Sequence, residues 1–164
     1  MTRVSEHGAR GRAGGFVVRG ALDALEVVLL QRFKPERGEY WVVPGGGVEP
    51  EETARDAAAR ELLEETGLEF RLLGQLYESV NPVSGRVAHY FVARWLAGEP
   101  CLHAASPEAV ERRSPDNRYA PRWVRAGDVH ALPLFPSVIR DRLKEDLRAS
   151  LEGGINPVRL EETD

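Results

Sequence analysis

The sequence predicts an α/β fold, one domain built on a mixed β-sheet with helices on both faces. Three observations point to it. Apolar runs of strand length and two helical patterns follow the order strand, strand, strand, helix, strand, strand, strand, helix. The 164 residues suit one ordinary domain that buries roughly two thirds of its unfolded surface. Cys101 is the lone cysteine, so no intrachain disulfide staples the fold, and a reducing compartment is its natural home.

In chain order, residues 1–13 read as a frayed tail in which Arg3, Arg10 and Arg12 are mixed with glycine and alanine. Gly15 to Arg19 is a short strand and Leu25 to Gln31 a second, mostly buried one, with a turn over residues 20–24. Arg32, Phe33 and Lys34 leave that strand toward Pro35 and a polar loop. Tyr40 to Val43 is a strand running into Pro44 and three glycines. Beyond the acidic stretch described below, Leu72 to Val80 and Arg86 to Leu96 read as strands joined by a turn over residues 81–85. His89 falls among apolar neighbours and reads as a hydrogen-bonded structural histidine, while His7, His103 and His130 have no partner at metal-ligand spacing. Residues 106–117 form a polar, proline-broken connection, and Tyr119 to Val124 is the last strand, with Trp123 packing. Ile139, Leu143, Leu147 and Leu151 recur every fourth residue, a stripe that makes one terminal helix begun at Pro136 and stopped at Gly153-Gly154. The domain therefore spans residues 14–152, with a tail over 153–164.

The composition excludes several classes. A net charge of −4, with Lys34 and Lys144 the only lysines among 22 basic residues, is not the balance of a nucleic-acid binder. No apolar run reaches the length of a membrane span, and no apolar core of a signal peptide is present, so a cytoplasmic protein is expected. Cys101 reads as a small hydrophobe, buried or half-buried, rather than a nucleophile.

The informative stretch is Gly45 to Phe70. Thr53 with Asp56 is a capping-box-like pair that starts a helix, and Gly67 is suited to a left-handed stop. At about 100° per residue, Glu61, Glu64 and Glu65 fall within about one third of the helix circumference. Ala54, Ala57 and Ala58 share their side, and such small side chains admit a close neighbour. Two charges about 4 Å apart repel by about 4 kcal/mol at an effective dielectric of about 20, so a partly buried trio of carboxylates calls for protons or a divalent cation. Oxygen ligands alone favour Mg²⁺, Mn²⁺ or Ca²⁺, and Mg²⁺ takes few carboxylates alongside waters and substrate phosphates. Arg60 can swing toward Glu64 one turn on, and Glu52, just before the helix, can reach back toward Arg60 or toward waters on a bound ion. Gly46, between Gly45 and Gly47, permits close approach of the backbone.

This stretch resembles the Nudix box, G-x5-E-x7-R-E-U-x-E-E-x-G-U with U aliphatic. Gly46, Glu52, Arg60, Glu61, Leu62, Glu64, Glu65, Gly67 and Leu68 fill every specified place. The resemblance implies a Nudix-like α/β/α sandwich and a hydrolase of nucleoside diphosphates linked to another moiety, with Mg²⁺ or Mn²⁺ as cofactor. It makes Glu61, Glu64 and Glu65 metal ligands, with one of them a base, places Gly46 at the metal, and gives Arg60 and Glu52 the orienting role. Relatives also draw a further glutamate from a loop beyond the box, which points to Glu108 or Glu111. Arg32 and Lys34 either neutralise substrate phosphate or are solvated loop charges, and Tyr40 either lines a base slot or belongs to the core. Pro82 stands near the place where ADP-sugar-cleaving relatives carry a proline, which implies ADP-ribose-type substrates. Cleaning of damaged nucleoside triphosphates, and nucleotide sensing without hydrolysis, are the alternatives. A homodimer is expected because the family often forms one.

Overall fold

The computed structural model describes residues 11–102 and 118–164. Its strands are β1 (Arg12–Arg19), β2 (Glu26–Lys34), β3 (Gly38–Val42), β4 (Gly45–Gly47), β5 (Glu69–Val80), β6 (Val87–Ala97), β7 (Arg118–Arg125), β8 (Leu134–Phe135) and β9 (Val158–Glu161). Its helices are α1 (Ala54–Thr66), α2 (Ser137–Arg140) and α3 (Leu143–Gly153).

The sheet is mixed, in the order β8-β3-β2-β1-β6-β5-β9. β1 is central and runs parallel to β6, from Arg12 beside Ala88 to Val18 beside Arg94. Its other edge is shared, with β4 at one end and β2 at the other. β2 is divided in the same manner, with β7 along one edge and β1 and β3 in succession along the other. Each division turns the chain out of the common plane, so the sheet curls.

Burial on both faces explains why β1 is a near-continuous apolar run. One face carries the larger core, where Phe16, Val18, Val27 and Leu29 meet Ile139, Leu143 and Leu147. On the other face Val17, Val28 and Ala93 pack on Leu62 and Leu68, while Ala13 and Phe91 pack on Ala57 and Ala58 of α1. The α/β/α layering is as the sequence predicts.

Four local readings are corrected. β1 begins at Arg12, so Arg12 and Ala13 are ladder residues rather than tail, and Ala13 is fully buried. Arg32 and Lys34 belong to β2, paired with Tyr40 and Gly38, and not to a loop. The terminal helix is broken between Arg140 and Leu143, because the chain turns at Asp141-Arg142 before α3 begins. The stripe of Ile139, Leu143 and Leu147 survives the break because all three face the same core. Finally, the segment 153–164 contributes β9, which pairs in parallel with β5 from Tyr77 to Val80.

Cys101 is exposed, contrary to expectation, because its backbone rather than its side chain is anchored, the N–H donating to the Thr66 carbonyl at 2.8 Å. His89 is half-buried with Nδ1 2.9 Å from Gln75 Nε2, as a structural histidine requires. Trp123 packs edge-on to Trp95 at 6.2 Å with the Arg19 guanidinium 4.0 Å over its ring. Among the described residues no helix is long and apolar enough to cross a membrane.

The α3 contact can be tested by truncation. Leu147 is fully buried and Leu151 only partly, so Leu147→Ala should lower the free energy of unfolding in urea by about 2–5 kcal/mol and Leu151→Ala by distinctly less.

Candidate functional site

α1 starts and stops as its end residues dictate. Thr53 Oγ1 accepts the Asp56 N–H at 3.1 Å and the Thr53 N–H donates to Asp56 Oδ2 at 3.4 Å. At the far end Gly67 adopts φ 65°, where a side chain is strained, and its N–H donates to the Leu63 carbonyl at 2.9 Å. Between these ends Ala57, Ala58 and Leu62 pack on the sheet, and on the same helix Glu61 and Glu65 are buried and Glu64 lies half-exposed beside them.

The three glycines form β4, laid antiparallel on β1 with Gly46 opposite Ala13. Gly46 sits so close to α1 that a Cβ there would fall on the Glu61 carboxylate. Gly45 is held from two sides: its N–H donates to Glu65 Oε2 at 2.8 Å, and its carbonyl accepts from Arg12 Nη2 at 3.1 Å. Ala57 and Ala58, packed on Ala13, leave the room this approach needs.

Arg60 ties the acids together. Its Nε and Nη2 each donate to one oxygen of Glu52 at 2.8 Å, the two-pronged geometry that makes such pairs strong. Nη1 donates to Glu61 Oε1 at 2.8 Å and lies 3.7 Å from Glu64, while Nη2 also reaches the Gly47 carbonyl at 3.1 Å. Hydrogen bonds from Arg60, aided by the Glu49 N–H, hold the Glu52 carboxyl at about 2, well below the usual range. Reciprocally, the Glu52 hydrogen bond raises the Arg60 pKa. Glu52 therefore stays ionised, and the link is lost only as pH falls toward about 2.

Further along the sheet, Arg32 has Tyr40 and Tyr119 as cross-strand neighbours, its guanidinium carbon 5.5 Å and 5.2 Å from their rings. Tyr40 is buried and carries Arg37 at 4.2 Å. The Tyr119 hydroxyl donates to Glu65 Oε1 at 2.9 Å, which joins this cluster to the acidic helix. Lys34 lies at the end of β2, and no described contact links it to the glutamates. Glu108 and Glu111, like His7 and His103, lie outside the described residues.

The sequence therefore locates Gly46, Glu52, Arg60, Glu61, Glu64 and Glu65, and the structure brings them together. It gives no signal for Tyr119 or Arg12, whose roles follow from strand register alone.

All donors in this cluster are oxygens, which fits a hard divalent cation. Among the described residues no three His, Cys, Asp or Glu side chains are gathered closely enough to hold a metal ion.

A cavity of about 400 Å³ is lined by residues that flank the glycine segment, Arg12 on β1 and Val42 and Val43 before β4. Val42 and Val43, which lead into it, form one wall with Ala88, Tyr90, Phe135 and Pro136, and Arg12, Arg86 and Glu162 are at its polar side. A larger cavity of about 580 Å³, between the β1–β2 turn and α3, shares no residue with it.

A profile of the NUDIX domain matches residues 9–143. A Mycobacterium tuberculosis protein named putative 8-oxo-dGTP diphosphatase 2 is 36% identical over 126 residues, 75% of this chain and 78% of its own. A Bacillus subtilis protein named putative 8-oxo-dGTP diphosphatase is 29% identical over 135 residues, 82% and 78% of the two chains. Among solved structures, a NUDIX hydrolase from Nitrosomonas europaea superposes with a TM-score of 0.67 over 93% of this chain and 77% of that one, at 21% identity.

The close approach at Gly46 makes a sharp contrast with its neighbour, since a Cβ at Gly47 would meet nothing within 4 Å. Gly46→Ala should displace Glu61 and abolish most turnover, whereas Gly47→Ala should retain it, with thermal melts separating a local effect from unfolding.

Proposed function

We propose that this chain, which belongs to the Nudix hydrolase family, is a metal-dependent pyrophosphohydrolase of nucleoside triphosphates, damaged purine nucleotides among them. The family makes it an acid anhydride hydrolase. The observation that carries the finer reading is that Gly45, which donates to Glu65 of α1, also accepts from Arg12, and Arg12 with Val42 and Val43 lines a cavity of about 400 Å³. The names of the relatives from Mycobacterium tuberculosis and Bacillus subtilis favour triphosphates over ADP-ribose. Pro82, the residue that suggested ADP-ribose, is exposed in a turn closed by the Asn81 side chain, which accepts the N–H groups of Val83 and Ser84 at 3.0 Å. Its place in that turn needs no substrate to explain it.

In this reading Glu61, Glu64 and Glu65 would hold Mg²⁺ or Mn²⁺. When bound, the ion supplies charge neutralisation at the phosphates and a more acidic water. Water adds across the phosphoanhydride, one phosphorus–oxygen bond forms and the bond to the bridging oxygen breaks, giving nucleoside monophosphate and pyrophosphate. One of the glutamates takes the proton from the water. Arg60, fixed by Glu52, holds Glu61 in place and lies beside Glu64; the Gly45 N–H and the Tyr119 hydroxyl hold Glu65. Arg32, between Tyr40 and Tyr119, offers a cation to the outer phosphates.

Glu64 is the least enclosed of the three carboxylates, so its substitution tests chemistry with little effect on packing. Glu64→Gln should lose at least about tenfold in kcat with an unchanged melting curve. Products identified by mass from a panel of triphosphates and ADP-ribose with Mg²⁺ should show pyrophosphate release. A parent enzyme that cleaves ADP-ribose in preference to every triphosphate would refute the proposal.

A further inference from the structure

The cavity lined by Arg12 and Val43 contains several polar groups, and Arg12, Asn81 and Asp164 are tied into the fold. Arg12 donates to the Gly45 carbonyl at 3.1 Å, and Asn81 Oδ1 accepts two turn N–H groups. Asp164 is exposed, and its Oδ1 accepts the Ser137 N–H at 3.0 Å at the start of α2. Glu162 is half-buried and anchored at two points. Its backbone N–H continues the β5–β9 ladder to the Val80 carbonyl at 2.9 Å, and its Oε1 accepts the fully buried Ser79 hydroxyl at 2.6 Å. No described hydrogen bond reaches its Oε2.

Beside it is Tyr90, nearly enclosed, with its hydroxyl pushed up to about 12 chiefly by burial and further by the Glu162 charge. Val43 and Phe135 line the same space with apolar surface. A ring entering there would share the space with apolar side chains and the Glu162 carboxylate.

Resting on the triphosphate reading above, we infer that Glu162 selects the base, by accepting two adjacent N–H donors of a guanine-type Watson–Crick edge. An ionised carboxylate only accepts hydrogen bonds. It matches an imino N–H beside an amino group, and it repels the lone pair that adenine sets next to its amino group. Because Ser79 and the β9 ladder fix its position, the carboxylate is preorganised rather than recruited. Exchange for an amide leaves an acceptor for Ser79 but sets a donor against the imino N–H.

The test is calorimetric titration of the full chain with guanosine, adenosine and cytidine monophosphates in Mg²⁺, which needs no hydrolysis. The parent should bind guanosine monophosphate at least about tenfold more tightly than adenosine monophosphate. Glu162→Gln should lose at least about tenfold for guanosine and stay within about threefold for the other two. Asp164→Asn should leave all three within about twofold. A parent without base preference, a guanosine affinity untouched by Glu162→Gln, or an equal loss for all three bases overturns the inference. Failure of triphosphate hydrolysis with this selectivity intact would instead overturn the proposed reaction.

Discussion

The site depends on one contact, the seating of the Gly46 backbone against the Glu61 carboxylate. A charged group is brought under a strand with no side chain between them, and the surroundings are arranged to permit it. Ala13, Ala57 and Ala58 let α1 close on β1, and β4 is held on the same edge of β1. Burying a carboxylate is costly unless it is paired. Arg60 meets that cost for Glu61, and the Gly45 amide and Tyr119 hydroxyl meet it for Glu65.

Arginine is the connecting residue throughout. Arg60 joins helix, loop and glycine carbonyl through separate N–H groups; Arg12 joins β1 to Gly45; Arg32 and Arg37 lie against aromatic rings. Each use relies on a planar, forked donor set that a lysine ammonium lacks. The near absence of lysine in a chain with 22 basic residues is consistent with that demand.

How much of this was legible in the sequence follows from the range of the interactions. The helix from Thr53 to Gly67, its caps and the common side of Glu61, Glu64 and Glu65 are set within a few residues, and the pattern states them. The layering was legible for the same reason, since strand and helix periodicities are local. β1 was read short at its start because Arg12-Ala13 looks like tail, yet Ala13 is buried by α1 from some forty positions away. β8 and β9 have only two and four residues, too few to show a period, and exist because β3 and β5 offer them an edge. Tyr119 meets Glu65 only through the register of β7 on β2. The break after Arg140 was hidden because Ile139 and Leu143 keep helical spacing across it.

That break separates two tasks. Leu143 and Leu147 lock α3 into the main core, while Phe135 and Pro136, just upstream of the break, border the cavity lined by Arg12 and Val43. Substitution at Phe135 or Pro136 can therefore reshape the rim while Ile139, Leu143 and Leu147 keep the core packed. Such partitioning gives a lineage a route to new ligands, since preference can drift at the rim while the acidic helix and its glycine partner stay as they are.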